Sequence, residues 1–201
     1  MNEISKVILF IILLTFFVLV ILIITENKLG EWFLEYRNSK NGKRYGIQEI
    51  FKDSDVALEI IAKLHSNMES FVSRLKTKYP NDERVIRLVK GFSRVEIEET
   101  TEEPGDDNTS FTINKGELMS LCIRESEKDR PFHDYNSLCF VIIHEMAHIA
   151  SVSEGHNFEF ITNFKFLLKE AVEMGYYNPI DYSKNPFLYC GKIKVTNNPY
   201  Y

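Results

Sequence analysis

The sequence predicts an α+β chain, mostly helical with a small β-sheet built on a hairpin, preceded by one N-terminal transmembrane helix. Three observations carry that reading. Residues 7–24, VILFIILLTFFVLVILII, are apolar throughout except for Thr15. The stretches at about 55–78 and 157–173 repeat apolar side chains at spacings of three and four, the helical period. Residues 110–123 hold two short β-type runs on either side of Asn114-Lys115-Gly116, a turn of hairpin type. A length of 201 residues suits one domain with a proper core. The expected division is a tail at 1–6, an anchor at 7–25, a juxtamembrane linker at 26–55, a folded domain at 56–195 and a tail at 196–201.

The first apolar run would span roughly 27 Å as a helix, against a hydrocarbon core of roughly 30 Å. TENKLGEWF, which follows it, lacks the small residues of a signal-peptide cleavage site. Lys6 precedes the run, whereas Lys28, Arg37, Lys40, Lys43 and Arg44 follow it. By the positive-inside rule this sets the C-terminal body in the cytosol, with the lipid bilayer as a partner through residues 7–25. Three cysteines, Cys122, Cys139 and Cys190, are too few for a disulfide framework and fit a reducing compartment. The sequon Asn108-Thr109-Ser110 points to the other side of a membrane. A net charge of −5 gives no electrostatic footprint for nucleic acid, so no nucleic-acid partner is expected. Nothing in the sequence fixes an oligomeric state.

After the linker, Asp53, Ser54 or Asp55 can cap a long helix whose stripe is Leu58, Ile61, Leu64, Met68, Phe71, Val72 and Leu75. His65 falls off that stripe and reads as a surface residue. Tyr79-Pro80-Asn81-Asp82 ends the helix, and a shorter one starts at Asp82. Seven acids between residues 96 and 107 predict a mobile loop. The hairpin comes next, and an exposed edge strand there could pair with an extended peptide.

A helix from about Asp134 to Ser153 is apolar nearly all round, so it should be buried. It carries His144-Glu145-Met146-Ala147-His148. Histidines four apart share a helical face and can each offer a neutral ring nitrogen to one metal ion, with Glu145 beside them. An ionised carboxylate in a buried helix costs several kcal/mol unless its charge is compensated, and a metal with its water compensates it. Catalytic zinc takes three protein ligands plus water. The third candidate is His156, which follows the turn former Gly155 and stands four residues before Phe160 on the next helix. Glu154, Glu159, Glu170 and Glu173 are rival carboxylate ligands. Tyr176, Tyr177, Tyr182 and Tyr189 lie downstream as possible oxyanion donors. His133 reads as a surface residue, and Cys190 as a core cysteine or a thiolate able to meet the metal.

The segment HEMAHIASVSEGHNFEF resembles the active-site segment of WLM/SprT-like zincin metallopeptidases. With NKGELMSLCIR before it and NPFLYCG after it, the likeness extends to the WLM-like metallopeptidases of large DNA viruses and covers about 85–191. Seven residues separate His148 from His156, where typical members have five. The resemblance implies a zincin-like fold, His144, His148 and His156 as ligands of Zn2+, Glu145 as general acid and base, and a protein or peptide substrate. The function expected is therefore that of a membrane-anchored, zinc-dependent endopeptidase. The alternative is a non-catalytic membrane-anchored interaction or virion structural protein that keeps the zincin fold; a fourth protein ligand would favour it.

Overall fold

In the computed structural model, residues 3–31, 34–101, 109–125 and 130–201 are described, and within the first helix the side chains at 5–6 and 8–22. Trp32 and Phe33, the acidic residues of 102–108 and Asn108 of the sequon lie outside the described residues. Helix α1 (Glu3–Glu31) opens the chain. The expected transmembrane span is corrected here: among the described residues no helix is long and apolar enough to cross a membrane. The cytosolic placement drawn from the flanking charges falls with the span.

The supposed linker contains an antiparallel pair, β1 (Glu35–Asn38) and β2 (Arg44–Ile47). Tyr45 and Ile47 are buried, and Arg37 bonds Glu49 at 2.7 Å and Asp55 at 2.5 Å, so the pair is fastened to the start of the next helix. That helix, α2 (Ser54–Lys78), buries all seven stripe residues. Asp53 stands at its N-cap without capping it, because its carboxylate pairs with Arg124 at 2.7 Å. His65 is buried too, edge-on to Tyr45 and Phe92, with Nδ1 3.0 Å from the Tyr45 hydroxyl. The stripe is wider than its spacing implied because α2 packs against the sheet as well as against other helices. Asp82 caps α3 (Glu83–Phe92) by accepting from the Arg84 N–H.

The acidic stretch begins as a strand, β3 (Glu96–Glu99), and not as a loop. It lies at the middle of a five-stranded sheet of order β1-β2-β3-β5-β4, where β4 is Phe111–Ile113 and β5 is Leu118–Leu121. Strands β2, β3 and β5 run parallel, with α2 and α3 forming one crossover, while β4 pairs antiparallel with β5 as the hairpin predicted. Alternation explains the acids: Ile97 and Glu99 point inward, and Glu96 faces solvent. Buried Glu99 accepts from Arg124 Nε at 2.6 Å and from the Gln48 N–H at 3.0 Å. The Arg124 guanidinium sits over the rings of Phe51 and Phe132, 4.4 Å from each centroid.

Helix α4 (Tyr135–Ala150) is capped by Asp134 and buried on nearly every face, and α5 (Phe158–Glu173) is capped by Asn157. Each fully buried Leu, Ile or Phe contributes about 1.5–3 kcal/mol, so α4, with Leu138, Ile142, Ile143 and Met146 enclosed, is the axis of the core. Gly91 of α3 and Gly116 of the hairpin turn touch. A Cβ on Gly116, at φ +101°, would stand 2.8 Å from the Gly91 backbone. This contact seats the β4–β5 turn beside the C-terminal half of α4. A separate two-stranded sheet, β6 (Phe187–Tyr189) with β7 (Ile193–Val195), closes the chain.

Candidate metal centre

His144 and His148 sit one turn apart on α4, and the chain returns to them quickly. Ser151 ends α4, Gly155 adopts φ +76°, and His156 stands two residues before α5. Two clamps hold this connection. The Glu159 carboxylate accepts from the N–H groups of Val152 and Ser153 at 2.9 Å each. Hydrogen bonds from Ser153 and Val152 hold its pKa down at about 2. From the other side Lys115 Nζ donates to the carbonyls of Ser153 at 2.9 Å and His148 at 3.3 Å and pairs with Glu154 at 3.0 Å.

The outcome is a convergence. His144 Nε2 lies 3.3 Å from His148 Nε2 and 3.0 Å from His156 Nε2. Three nitrogens bonded at 2.0–2.1 Å around a tetrahedral ion stand about 3.3 Å apart, so the two pairs that include His144 have the spacing of a ligand set, and all three nitrogens lie within 4.8 Å of one another. Phe160 underlies them, stacked on His148 with centroids 4.3 Å apart and edge-on to His144 and His156. Burial lowers the pKa of His144 to about 3 and of His148 to about 4, the neighbouring imidazoles adding to the effect. Both rings are therefore neutral, the form that ligates a cation.

Glu145 is 3% exposed and turns to the sheet, where it accepts from the Thr112 hydroxyl at 2.9 Å. Burial raises its pKa to about 7, and the Thr112 bond opposes the rise. The histidines and Glu145 line a cleft of about 440 Å³. One side is the edge strand β4, with Phe111 and Thr112; Phe140 and Val141 come from α4, and Tyr189, Ile193 and Val195 from the last hairpin.

The rival carboxylates are elsewhere or otherwise engaged. Glu170 binds Lys78 at 2.8 Å and Tyr79 at 2.7 Å, Glu173 also binds Lys78, and Glu159 serves the loop. Glu154 lines the cleft but pairs with Lys115. Of the tyrosines, Tyr177 and Tyr182 are buried next to Phe140, and Tyr189 reaches the cleft wall with its hydroxyl donating to the Cys122 carbonyl at 2.7 Å. His133 is buried against Tyr189, not on the surface. Cys190 is not free but disulfide-bonded to Cys122, and it groups with Cys122 and His133 and not with the three histidines. Sequence reasoning missed Thr112, Lys115 and the disulfide. Each acts across more than thirty residues of chain, and no local spacing reports such a contact.

Residues 102–195 match the WLM domain. The chain is 31% identical over 157 residues to protein R325 of Acanthamoeba polyphaga mimivirus, a match covering 75% of this chain and 77% of that relative. It is 38% identical over 87 residues to protein 042R of Invertebrate iridescent virus 3 (42% of this chain, 51% of the relative). It is 42% identical over 84 residues to protein 136R of Invertebrate iridescent virus 6 (40% and 44%), so it spans about half the length of these two. A crystal structure of a Wss1 mutant from S. pombe overlaps 58% of this chain and 86% of its own at 21% identity and a TM-score of 0.38. The WLM match supports a metallopeptidase-like function of the hydrolase class. With that domain and a mimivirus relative matched over three-quarters of its length, the chain belongs to the WLM-domain family, among the WLM-like proteins of large DNA viruses.

Proposed function

We propose that this chain is a zinc-dependent endopeptidase, with Zn2+ held by His144, His148 and His156 and with Glu145 as general base and acid. The observation that carries the reading is the meeting of three Nε2 atoms beside a buried carboxylate, in a cleft flanked by an edge strand. Three converging imidazoles suit Zn2+, and a set of three leaves a position open, as catalytic sites do. When bound, the ion supplies Lewis-acid polarisation of the scissile carbonyl and acidifies water.

The chain's own residues do the rest. The outer edge of β4 offers backbone groups to an extended peptide, as an exposed strand does. Phe140, Val141, Ile193 and Val195 give the cleft apolar walls for the peptide's side chains. Glu145 accepts a proton from the attacking water and returns it to the leaving amine. Thr112 holds the carboxylate in place. The non-catalytic alternative needs a fourth protein ligand, and its candidate, Cys190, is bonded to Cys122.

The test is metal analysis of the purified chain beside a casein or peptide-library digest. The chain should carry one zinc at its histidines and cleave. Glu145→Gln should keep the zinc and lose about 10²–10⁴-fold in rate, and His156→Ala should lose the zinc. Undiminished turnover by Glu145→Gln would remove the assignment.

A further inference from the structure

Behind the wall of the cleft lies a second cluster of ligating side chains. Cys122, His133 and Cys190 are all buried, and their ligand atoms fall within 4.8 Å of one another. Cys122 directly follows β5, Cys190 directly follows β6, and His133 stands just before α4, so the cluster ties together the sheet, the central helix and the last hairpin. In the structure the two sulfurs are joined as a disulfide with Cα atoms 6.3 Å apart. His133 is 6% exposed, and its Nε2 accepts from the Cys190 N–H at 3.3 Å, a bond it would exchange for the ion. The ring therefore turns a lone pair, not a proton, toward Cys190. The ring also hydrogen-bonds the Arg124 backbone, and a backbone carbonyl is an outer partner that orients a ligating histidine.

We propose that Cys122, Cys190 and His133 form a second cation site, of thiolate–imidazole type, which takes a thiophilic divalent ion such as Zn2+ when the disulfide is reduced. Thiolates bonded at 2.3 Å around a tetrahedral ion stand roughly 3.8 Å apart. Residues whose Cα atoms are 6.3 Å apart reach that separation by side-chain rotation, with little movement of the backbone. Three protein ligands leave a fourth position for water. Two electrons from a dithiol or a phosphine break the S–S bond. With a trialkylphosphine, one water gives its oxygen to phosphorus and its two protons to the sulfurs. The ion then displaces both thiol protons to solvent, and the neutral His133 nitrogen completes the set. Disulfide and ion are alternative fasteners of the same hairpin to the same sheet.

The experiment is a titration of the full chain with Co2+, oxidised and after phosphine reduction, under anaerobic conditions. Cobalt reports sulfur ligation by a thiolate-to-metal charge-transfer band that imidazoles alone do not give. The oxidised chain should take one equivalent, at the histidine triad, without the band; the reduced chain should take two, with it. Cys122→Ser combined with Cys190→Ser should abolish the band while the triad still fills, and His133→Ala should weaken the second site roughly tenfold or more. A reduced chain that shows no thiolate band overturns the proposal, whether it stays folded or unfolds without recovering on addition of Co2+. Unfolding that Co2+ reverses supports it. Should the triad not bind metal, the band would still appear on reduction, so failure of the protease reading is distinguishable from failure of this one.

Discussion

Thr112 donates its hydroxyl proton to Glu145 Oε2 at 2.9 Å, joining the outermost strand of the sheet to the helix that carries the histidine pair. A hydrogen bond to a charged group contributes about 1.5–3 kcal/mol, or roughly 10–100-fold in rate where the transition state depends on it. Thr112→Val should lower kcat by about that factor with little change in KM, and Thr112→Ser should restore most of it. Steady-state cleavage by the two variants decides; equal loss in both would mean the side chain matters only for packing.

Glu159 touches no candidate ligand, yet it fixes the two residues that lead into the His156 turn. Supporting residues of this kind change metal affinity about 10–100-fold. Glu159→Gln should weaken zinc binding by about that much in competition with a chelating dye, with the far-ultraviolet circular dichroism unchanged. Unaltered affinity would show that Lys115 suffices to hold the turn.

Gly116 has φ +101° and lies against the Gly91 backbone. Any side chain there meets backbone and adopts a disfavoured conformation, so Gly116→Ala should cost at least about 2 kcal/mol of unfolding free energy in urea. Because the turn also bears Lys115, zinc affinity should fall as well. A stable Gly116→Ala would mean that the turn can lift from α3 without harm.

Burial, with help from Lys43, lowers the pKa of His65 from 6.5 to about 4, and Glu69 opposes the shift. Between those values the unfolded chain binds a proton that the folded chain refuses. Stability is therefore full above about pH 6.5 and declines as pH falls, by on the order of 3 kcal/mol at pH 4. Urea unfolding at pH 7 and pH 4.5 should show His65→Gln losing less between the two than the native chain. Equal loss would assign the acid sensitivity to other groups.

The helices were legible where a periodic apolar stripe met a capping residue: the stripe of α2, Asp82 before α3 and Asp134 before α4 all stand in the sequence as they do in the structure. The hairpin was legible from its turn. The convergence of His144, His148 and His156 was legible because the three lie within thirteen residues, so helical pitch and one glycine turn nearly determine where they go. What escaped was long-range. A strand containing three glutamates reads as a solvated loop until Arg124, twenty-five residues on, is seen against Glu99. His65 and His133 read as surface positions because their neighbours, Tyr45 and Tyr189, come from distant strands. The apolar run at 7–24 misled in the opposite sense, since length in sequence was taken for a span that the described helix does not make.

The last hairpin belongs to no other sheet, and it reaches the cleft from a part of the chain that supplies none of the three imidazoles. Under the proposed function, one part of the substrate-facing wall is thus written in a stretch of sequence apart from the residues that would retain the ion. Ile193 and Val195 can be exchanged to reshape what the enzyme prefers while residues 144–160 stay untouched. Under that reading, substitutions at that end of the chain can change preference without disturbing the three imidazoles.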